Sequence, residues 1–295
     1  MPAPRADHVS FRKNDKDFLY SIVSNLNIMG QNTGLEKIVH IVPLGHEIDR
    51  AVVPFQDQTP NRVYLLTVIN NPDLDQNMVA RQQHFVKQVK ARLNSTIEVI
   101  TINTNMFELQ DVIKTISGII RKEQEQGNRI SVNMSACGRL TSVGAVVAAM
   151  AYDVNLYYVM AQDYGRIEEE ITLHGLSICP TPDVKKIVNF AFVQPDEVGK
   201  QILVFLYKKG KSMRSIDILE VLRDLGVQGF DVLFPEVEKE KKRDVQSRQL
   251  MKLDKTILTK LERDKLITRE KRGRNVFVTL TESGRYMACL SGLLE

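Results

Sequence analysis

The stretch LITREKRGRNVFVTL, Leu266–Leu280, decides how the carboxyl-terminal third folds. Leu266–Glu270 and Val276–Leu280 are short β-branched and apolar runs flanking Lys271-Arg272-Gly273-Arg274-Asn275. Gly273 and Asn275 tolerate positive φ, so the tip is well supplied for a tight turn and the whole reads as a two-strand ribbon. Three cations at one hairpin tip repel each other, and a fold gains nothing from that. A nucleic-acid backbone phosphate would account for them.

Upstream, Ser247–Lys265 has helical spacing. Leu250, Leu253, Ile257 and Leu261 recur every three to four residues and must face a core, while Arg248, Lys252, Lys255, Thr256 and Thr259 stand opposite. That second face pairs cations for phosphate oxygens with hydroxyls that hydrogen-bond to phosphates or base edges. Two more helices precede it: Gly199–Lys209, with Ile202, Leu203, Phe205 and Leu206 inward, and Ser212–Leu225, ended by Gly226. The charged run Glu236–Arg243 between them and the third helix reads as a solvated loop or helical extension. After the ribbon, Thr281 is suited to cap a last helix to Leu294 that offers Tyr286, Met287, Leu290 and Leu293 for packing. Three helices, a basic-tipped ribbon and a closing helix make a winged helix-turn-helix. The third helix is expected in the major groove of double-stranded DNA and the wing, with Lys271, Arg272 and Arg274, along the minor groove or backbone. The region resembles the winged helices of bacterial and archaeal repressors. A winged helix used only for protein contacts is the alternative, and the clustered cations argue against it.

Charge is distributed accordingly. Residues 197–295 carry 21 Lys+Arg against 15 Asp+Glu, a net of +6, whereas residues 1–196 carry 19 against 21. Among the 295 residues 43% are hydrophobic and 26% charged, a globular profile with room for two cores. No apolar run approaches the roughly 18 residues of a membrane span, and Met1–Arg12 is charged where a signal peptide would be apolar. The expected location is the cytoplasm, with no membrane partner. Cys137, Cys179 and Cys289 match no metal-ligand spacing and are expected as buried or semi-buried thiols; no metal and no cofactor is expected.

Residues 1–34 form a polar leader with one amphipathic stretch, Phe18–Ile28. From residue 35 to about 180 strand-like runs alternate with helical stripes. The strands are Ile38–Pro43, Arg62–Ile69, Thr96–Ile102, Arg129–Met134 and Asn155–Met160. The stripes are Val79–Leu93, Leu109–Ile120 and Leu140–Met150. Such alternation predicts an α/β, Rossmann-like parallel sheet of five to six strands with helices on both faces. Ile167–Ile178 reads as a hairpin or extended excursion closing the domain, and 181–196, punctuated by Pro182 and Pro195, as a connector to the domain at 197–295.

An open α/β sheet binds ligands beyond the carboxyl ends of its strands. There lie Pro43-Leu44-Gly45-His46-Glu47-Ile48-Asp49-Arg50 and Asn133-Met134-Ser135-Ala136-Cys137-Gly138-Arg139-Leu140-Thr141-Ser142. In the second loop small residues admit an anion to backbone N–H groups, Ser135, Thr141 and Ser142 add hydroxyls, and Arg139 adds charge at a helix start. A small-residue turn without a ligand is the bland alternative. His46 reads either as structural or simply exposed, or as a phosphate or ribose contact; His84 and His174 show no partner at catalytic spacing. Neither GxGxxG nor GxxxxGK[ST] occurs, which argues against dinucleotide and P-loop binding.

The Leu-Gly loop after the first strand, the Ser-x-x-Gly-Arg-x-Thr turn after the fourth and the trailing winged helix resemble the archaeal CARF (CRISPR-associated Rossmann fold) regulators. That resemblance implies a homodimer binding a cyclic oligoadenylate across its axis, with Gly45, His46, Ser135, Gly138, Arg139 and Thr141 as contacts. Ala136-Cys137 stands where many members have glycine or threonine. The expected function is a ligand-responsive DNA-binding transcriptional regulator with no catalytic residue assigned. The alternatives are a CARF-type ring nuclease, or a regulator whose sheet domain only dimerises.

Overall fold

A computed structural model describes residues 35–68, 75–189, 193–230 and 239–294. The leader at 1–34 and residues 236–238 of the charged run lie outside the described residues.

The first domain is a six-stranded sheet. Its strands are β1 (Ile38–Pro43), β2 (Arg62–Val68), β3 (Glu98–Thr104), β4 (Arg129–Asn133), β5 (Asn155–Val159) and β8 (Val184–Ile187), in the order β3-β2-β1-β4-β5-β8. The first five are mutually parallel; β8 runs antiparallel to β5 at the edge, pairing Leu156 with Ile187 and Val159 with Val184. The expected parallel α/β sheet therefore stands, with one correction. Val184–Ile187, read as connector, is its sixth strand. Val184, Lys185 and Lys186 are all exposed, so this strand follows no buried alternation and owes its pairing to the free edge of β5.

Helix α1 (Asp49–Val52) and helix α2 (Gln76–Arg92) cover one face; α3 (Leu109–Glu125) and α4 (Arg139–Ala151) cover the other. On β2 the pleat divides the side chains cleanly. Val63 and Leu65 join Phe55, Phe85 and Val89 on one side, while Tyr64 and Leu66 join Val112, Ile116 and Ile120 on the other. A strand buried on both faces is what a central parallel strand requires. The excursion at 167–178 is not itself a hairpin: its end, β7 (Ser177–Ile178), pairs with β6 (Asp163–Tyr164) outside that range, and most of it is α5 (Glu168–His174). Three glutamates in its first turn suit the helix dipole, which a hairpin reading overlooked.

The second domain contains α6 (Glu197–Lys209), β9 (Met213–Arg214), α7 (Ser215–Asp224), α8 (Lys239–Leu253) and α9 (Thr259–Arg263). The ribbon β10 (Ile267–Arg272) and β11 (Asn275–Leu280) and the helix α10 (Glu282–Leu290) complete it. β9 joins the ribbon as a third strand, in the order β10-β11-β9, and completes a winged helix domain. Asp196 caps α6 by accepting from Gly199 N at 2.8 Å, and Thr281 caps α10 by accepting from Gly284 N at 3.0 Å.

The third helix departs from expectation in one respect. It begins at Lys239, inside the charged run, and carries a π-helical turn, Asp254–Leu258, between α8 and α9. Leu253, Ile257 and Leu261 are all buried and lie four apart. At 3.6 residues per turn each four-residue step overshoots by about 40°, and the wider turn removes that drift.

The two domains are packed together. Ile113 of α3 is buried in the winged-helix core, with Leu109, Val147 and Ala151 packed against it. Tyr152 donates its hydroxyl to Leu290 O at 2.7 Å, Arg121 donates to Ser291 O at 3.3 Å, and Gln110 donates to Glu282 at 3.0 Å. Among the described residues no helix is long and apolar enough to cross a membrane.

Candidate functional site

β1 lies between β2 and β4, so the strand order reverses there and a crevice opens beyond the carboxyl ends of β1 and β4. The two loops flanking it are the ones singled out in the sequence. They touch: Gly45 N donates to Ala136 O at 2.7 Å, and a Cβ on Gly45 would stand 3.3 Å from Cys137 Cα. A side chain at Gly45 would press on the facing backbone, which would have to give by a few tenths of an ångström. The cleft has a volume of about 350 Å³. Gly45, His46, Gly138, Arg139 and Thr141 all line it, together with Glu47, Gln82, Met106, Phe107, Leu140 and Leu176.

Not every expected contact is free to serve. Ser135 is 3% exposed and does not line the cleft; its Oγ donates to Asn133 Oδ1 at 2.6 Å and accepts from Val159 N at 3.0 Å. Thr141 Oγ1 donates to Met106 O at 2.8 Å, and Ser142 Oγ donates to Met134 O at 2.8 Å. These hydroxyls stabilise the turn internally, because buried hydroxyls must find partners. For an anion the turn keeps the guanidinium of exposed Arg139 and the first backbone N–H groups of α4. Gly138 precedes that helix without any side-chain cap.

The cleft is otherwise apolar and weakly charged. His46 stacks on Phe85, with centroids 5.1 Å apart and planes at 27°. Its pKa is lowered by burial and by the nearby Arg81, both of which favour the neutral ring. Burial raises the pKa of Glu47, against the hydrogen bonds it accepts from Ser177 N (3.0 Å) and Ser177 Oγ (2.8 Å). Burial, with Glu47 nearby, pushes the Cys137 thiol up to about 12. All three cysteines are free, and Cys179 and Cys289 are buried.

A network not legible in the sequence clamps the excursion against the cleft. Asp49 accepts from Cys179 N at 3.0 Å and pairs with His174 Nδ1 at 2.9 Å. His174, without a partner along the sequence, thus has one 125 residues away. Arg50 donates to Ser135 O at 3.2 Å and to the Tyr158 hydroxyl at 3.0 Å. The clamp places Leu176 in the cleft wall. Phe107, Gln82 and Leu176 were missed because they come from three separate segments; half-exposed Phe107 in a loop was the one available signal.

On the winged helix, Arg248, Lys252, Lys255, Thr256, Thr259, Lys271, Arg272 and Arg274 are all exposed. They divide into two groups. Lys252 lies over the Phe230 ring at 5.0 Å and donates to Gly229 O, while Arg272 pairs with Glu270 at 2.7 Å and lies over Phe277. The cations at the tip are thus partly compensated within the wing. Thr256 and Thr259 donate their hydroxyls back to Lys252 O (2.6 Å) and Asp254 O (2.8 Å), leaving only acceptor lone pairs outward. Among the described residues, Arg248, Lys255, Lys271 and Arg274 form no ion pair.

Arg269, which the sequence reading passed over, ties wing to helix. It donates to Asp254 at the start of the π turn and to Glu262 at 2.5 Å and 2.8 Å. Arg269→Met should cost the winged helix about 1 kcal/mol, since partly exposed charge networks contribute modestly. It should also weaken duplex binding by freeing the wing. Urea denaturation and DNA titration check both, and wild-type values in each would show the contact to be idle.

Residues 38–164 match a family model described as HFX_2341_N-like, N-terminal, and residues 198–292 match the DUF6293 C-terminal winged helix domain. An uncharacterized protein of Archaeoglobus fulgidus is 24% identical over 274 residues, 92% of this chain and 100% of its own length. Three solved structures are similar at low scores. Enterococcus italicus Csm6 bound to cyclic hexa-2'-fluoro-hexa-dAMP has a TM-score of 0.41 at 11% identity, covering 75% of this chain and 55% of that one. Can2 from Sulfobacillus thermosulfidooxidans in complex with cyclic tetra-adenylate has 0.34 at 14%, covering 85% and 63%. VC1899 from Vibrio cholerae has 0.34 at 14%, covering 87% and 66%. The chain spans less than two thirds of the Csm6 and Can2 chains.

Proposed function

We propose that this protein is a dimeric transcriptional regulator that binds double-stranded DNA through its winged helix and a nucleotide, of the cyclic oligoadenylate kind, in the cleft between the β1 and β4 loops. The observation that carries the DNA reading is the set of exposed cations on the third helix and wing that form no ion pair among the described residues. The sheet domain packs against a different part of the winged helix, α10 and the residues that follow it. A duplex releases counterions for every phosphate neutralised, so affinity should fall steeply with salt. Fluorescence anisotropy on the protein's own promoter between 50 and 200 mM salt tests this; a flat profile refutes it.

The ligand reading rests on the cleft's chemistry. Apolar walls with His46, backed by buried Phe85, accommodate a planar base, and a helix start with Arg139 accommodates a phosphate. Phe107, Leu140 and Val143 are 49%, 46% and 51% exposed around the mouth, an apolar surface that a second copy would cover. Cyclic tetra-adenylate at 100-fold its dissociation constant should stabilise the protein by about 2.7 kcal/mol, read as a rise of several degrees in melting temperature. No shift would leave a sheet domain that only dimerises.

One observation favours a second reading, a ring nuclease. An imidazole and a carboxyl, His46 and Glu47, line the same cleft side by side. Linear product after incubation with cyclic tetra-adenylate would establish it.

A further inference from the structure

We infer that α3 and α4 form a transmission element: what happens in the cleft resets the winged helix through this helix pair, without a flexible linker. This deepens the regulatory reading and rests on it. Both helices start in the cleft. Met106 and Phe107 line it and lead into α3, while Arg139, Leu140 and Thr141 line it as the first turn of α4. The two starts are tied by the hydrogen bond from Thr141 Oγ1 to Met106 O. Further along, side chains of α3 pack directly onto Gly144 of α4. A Cβ on Gly144 would stand 2.7 Å from Val112 Cγ1 and 3.2 Å from Leu109 Cδ1.

The pair belongs to two cores at once. Val112 and Ile116 of α3, with Ala145, Ala148 and Ala149 of α4, are buried against the sheet. Ile113, the next residue after Val112, is buried in the winged-helix core. Neighbours on a helix point about 100° apart, so no shift or rotation of α3 can alter one contact and leave the other. Polar contacts fix the same boundary: Gln110 to Glu282, Tyr152 to Leu290 O and Arg121 to Ser291 O. Close-packed interiors transmit displacement instead of absorbing it. The docked element, α10, is separate from the third helix and the wing, so the signal reaches the DNA-binding surface through the winged-helix core.

The test uses the full-length protein and a double variant, Ile113→Ala with Tyr152→Phe, which loosens the packed and the hydrogen-bonded contact together and touches neither the cleft nor the DNA face. In the wild type, saturating cyclic tetra-adenylate should change the dissociation constant for promoter DNA by roughly 5- to 150-fold, and DNA should change ligand affinity by the same factor. In the double variant each ligand alone should bind as before, with that factor reduced towards one. An unchanged factor overturns the inference.

A second arm needs no ligand and so separates this inference from the cleft reading. Phe107→Ala reshapes the cleft wall before α3. It should alter hydrogen exchange of the amides at Leu290–Leu293 in the wild-type background and leave them unaltered in the double variant. Identical exchange with and without Phe107→Ala in the wild-type background overturns the coupling whatever the ligand proves to be.

Discussion

Reversing three charges at once, Lys255→Glu with Lys271→Glu and Arg274→Glu, should weaken promoter binding by roughly a thousandfold or more near 0.1 M salt, because each lost phosphate contact also lowers the salt slope by about 0.9. These residues are exposed and form no ion pair among the described residues, so the folded chain does not depend on them. Their substitution should change stability by only about 0.5 kcal/mol per site. Single alanine variants should rank in a definite order. Lys255→Ala should cost more than Lys252→Ala or Arg272→Ala, since Lys252 is held over Phe230 and Arg272 is paired with Glu270 in the free protein. Anisotropy titrations at several salt concentrations read both affinity and slope. Full affinity in the triple variant would remove the DNA interface from this surface.

The largest stability effect should come from the opposite end of the sheet. Glu123, at the end of α3, is 0% exposed and accepts hydrogen bonds from Tyr64 (2.5 Å), Arg62 (2.6 Å) and Asn128 (2.6 Å). Glu123→Ala should destabilise the sheet domain by about 3–5 kcal/mol, because the guanidinium of Arg62 and the Tyr64 hydroxyl lose their buried partner. Burial alone would raise the pKa of Glu123, but the hydrogen bonds from Tyr64, Asn128 and Arg62 outweigh it and the pKa is lowered. A lowered carboxyl pKa means that the folded state favours the charged form. Its contribution is complete above the ordinary carboxylate pKa and is lost as pH falls through the depressed value. The gap between wild-type and variant urea midpoints should therefore narrow as pH falls below the ordinary carboxylate range; a constant gap would show that Glu123 acts by packing alone.

The strands of the first domain were legible because a parallel strand buried on both faces leaves a dense β-branched run, as in Arg62–Val68. The helical stripes Val79–Leu93 and Leu109–Ile120 were legible because only one side of each helix is buried. Where neither condition holds the reading failed. The edge strand Val184–Ile187 is three-quarters exposed and reads as linker. In the cleft, glycine and helix-start positions were foreseeable, since Gly45 and Gly138 mark points where backbones approach or a helix opens. Ser135 was misjudged because a hydroxyl in a small-residue turn gives no sign of which way it points.

By itself, the sequence determined two domains, the Rossmann-like order of strands and helices, and a basic ribbon behind a helix with one cationic face. Those properties follow from periodicity and local turn chemistry, which act between residues a few positions apart. Only the tertiary structure decided which hydroxyls are spent inside the turn, which cations are engaged within the wing, and that α3 and α4 lie between sheet and winged helix. Each of those depends on groups separated by tens to more than a hundred residues, as Tyr152 is from Leu290 and His174 from Asp49. No periodic pattern in one segment carries the position of a partner so far along the chain; packing alone brings them together.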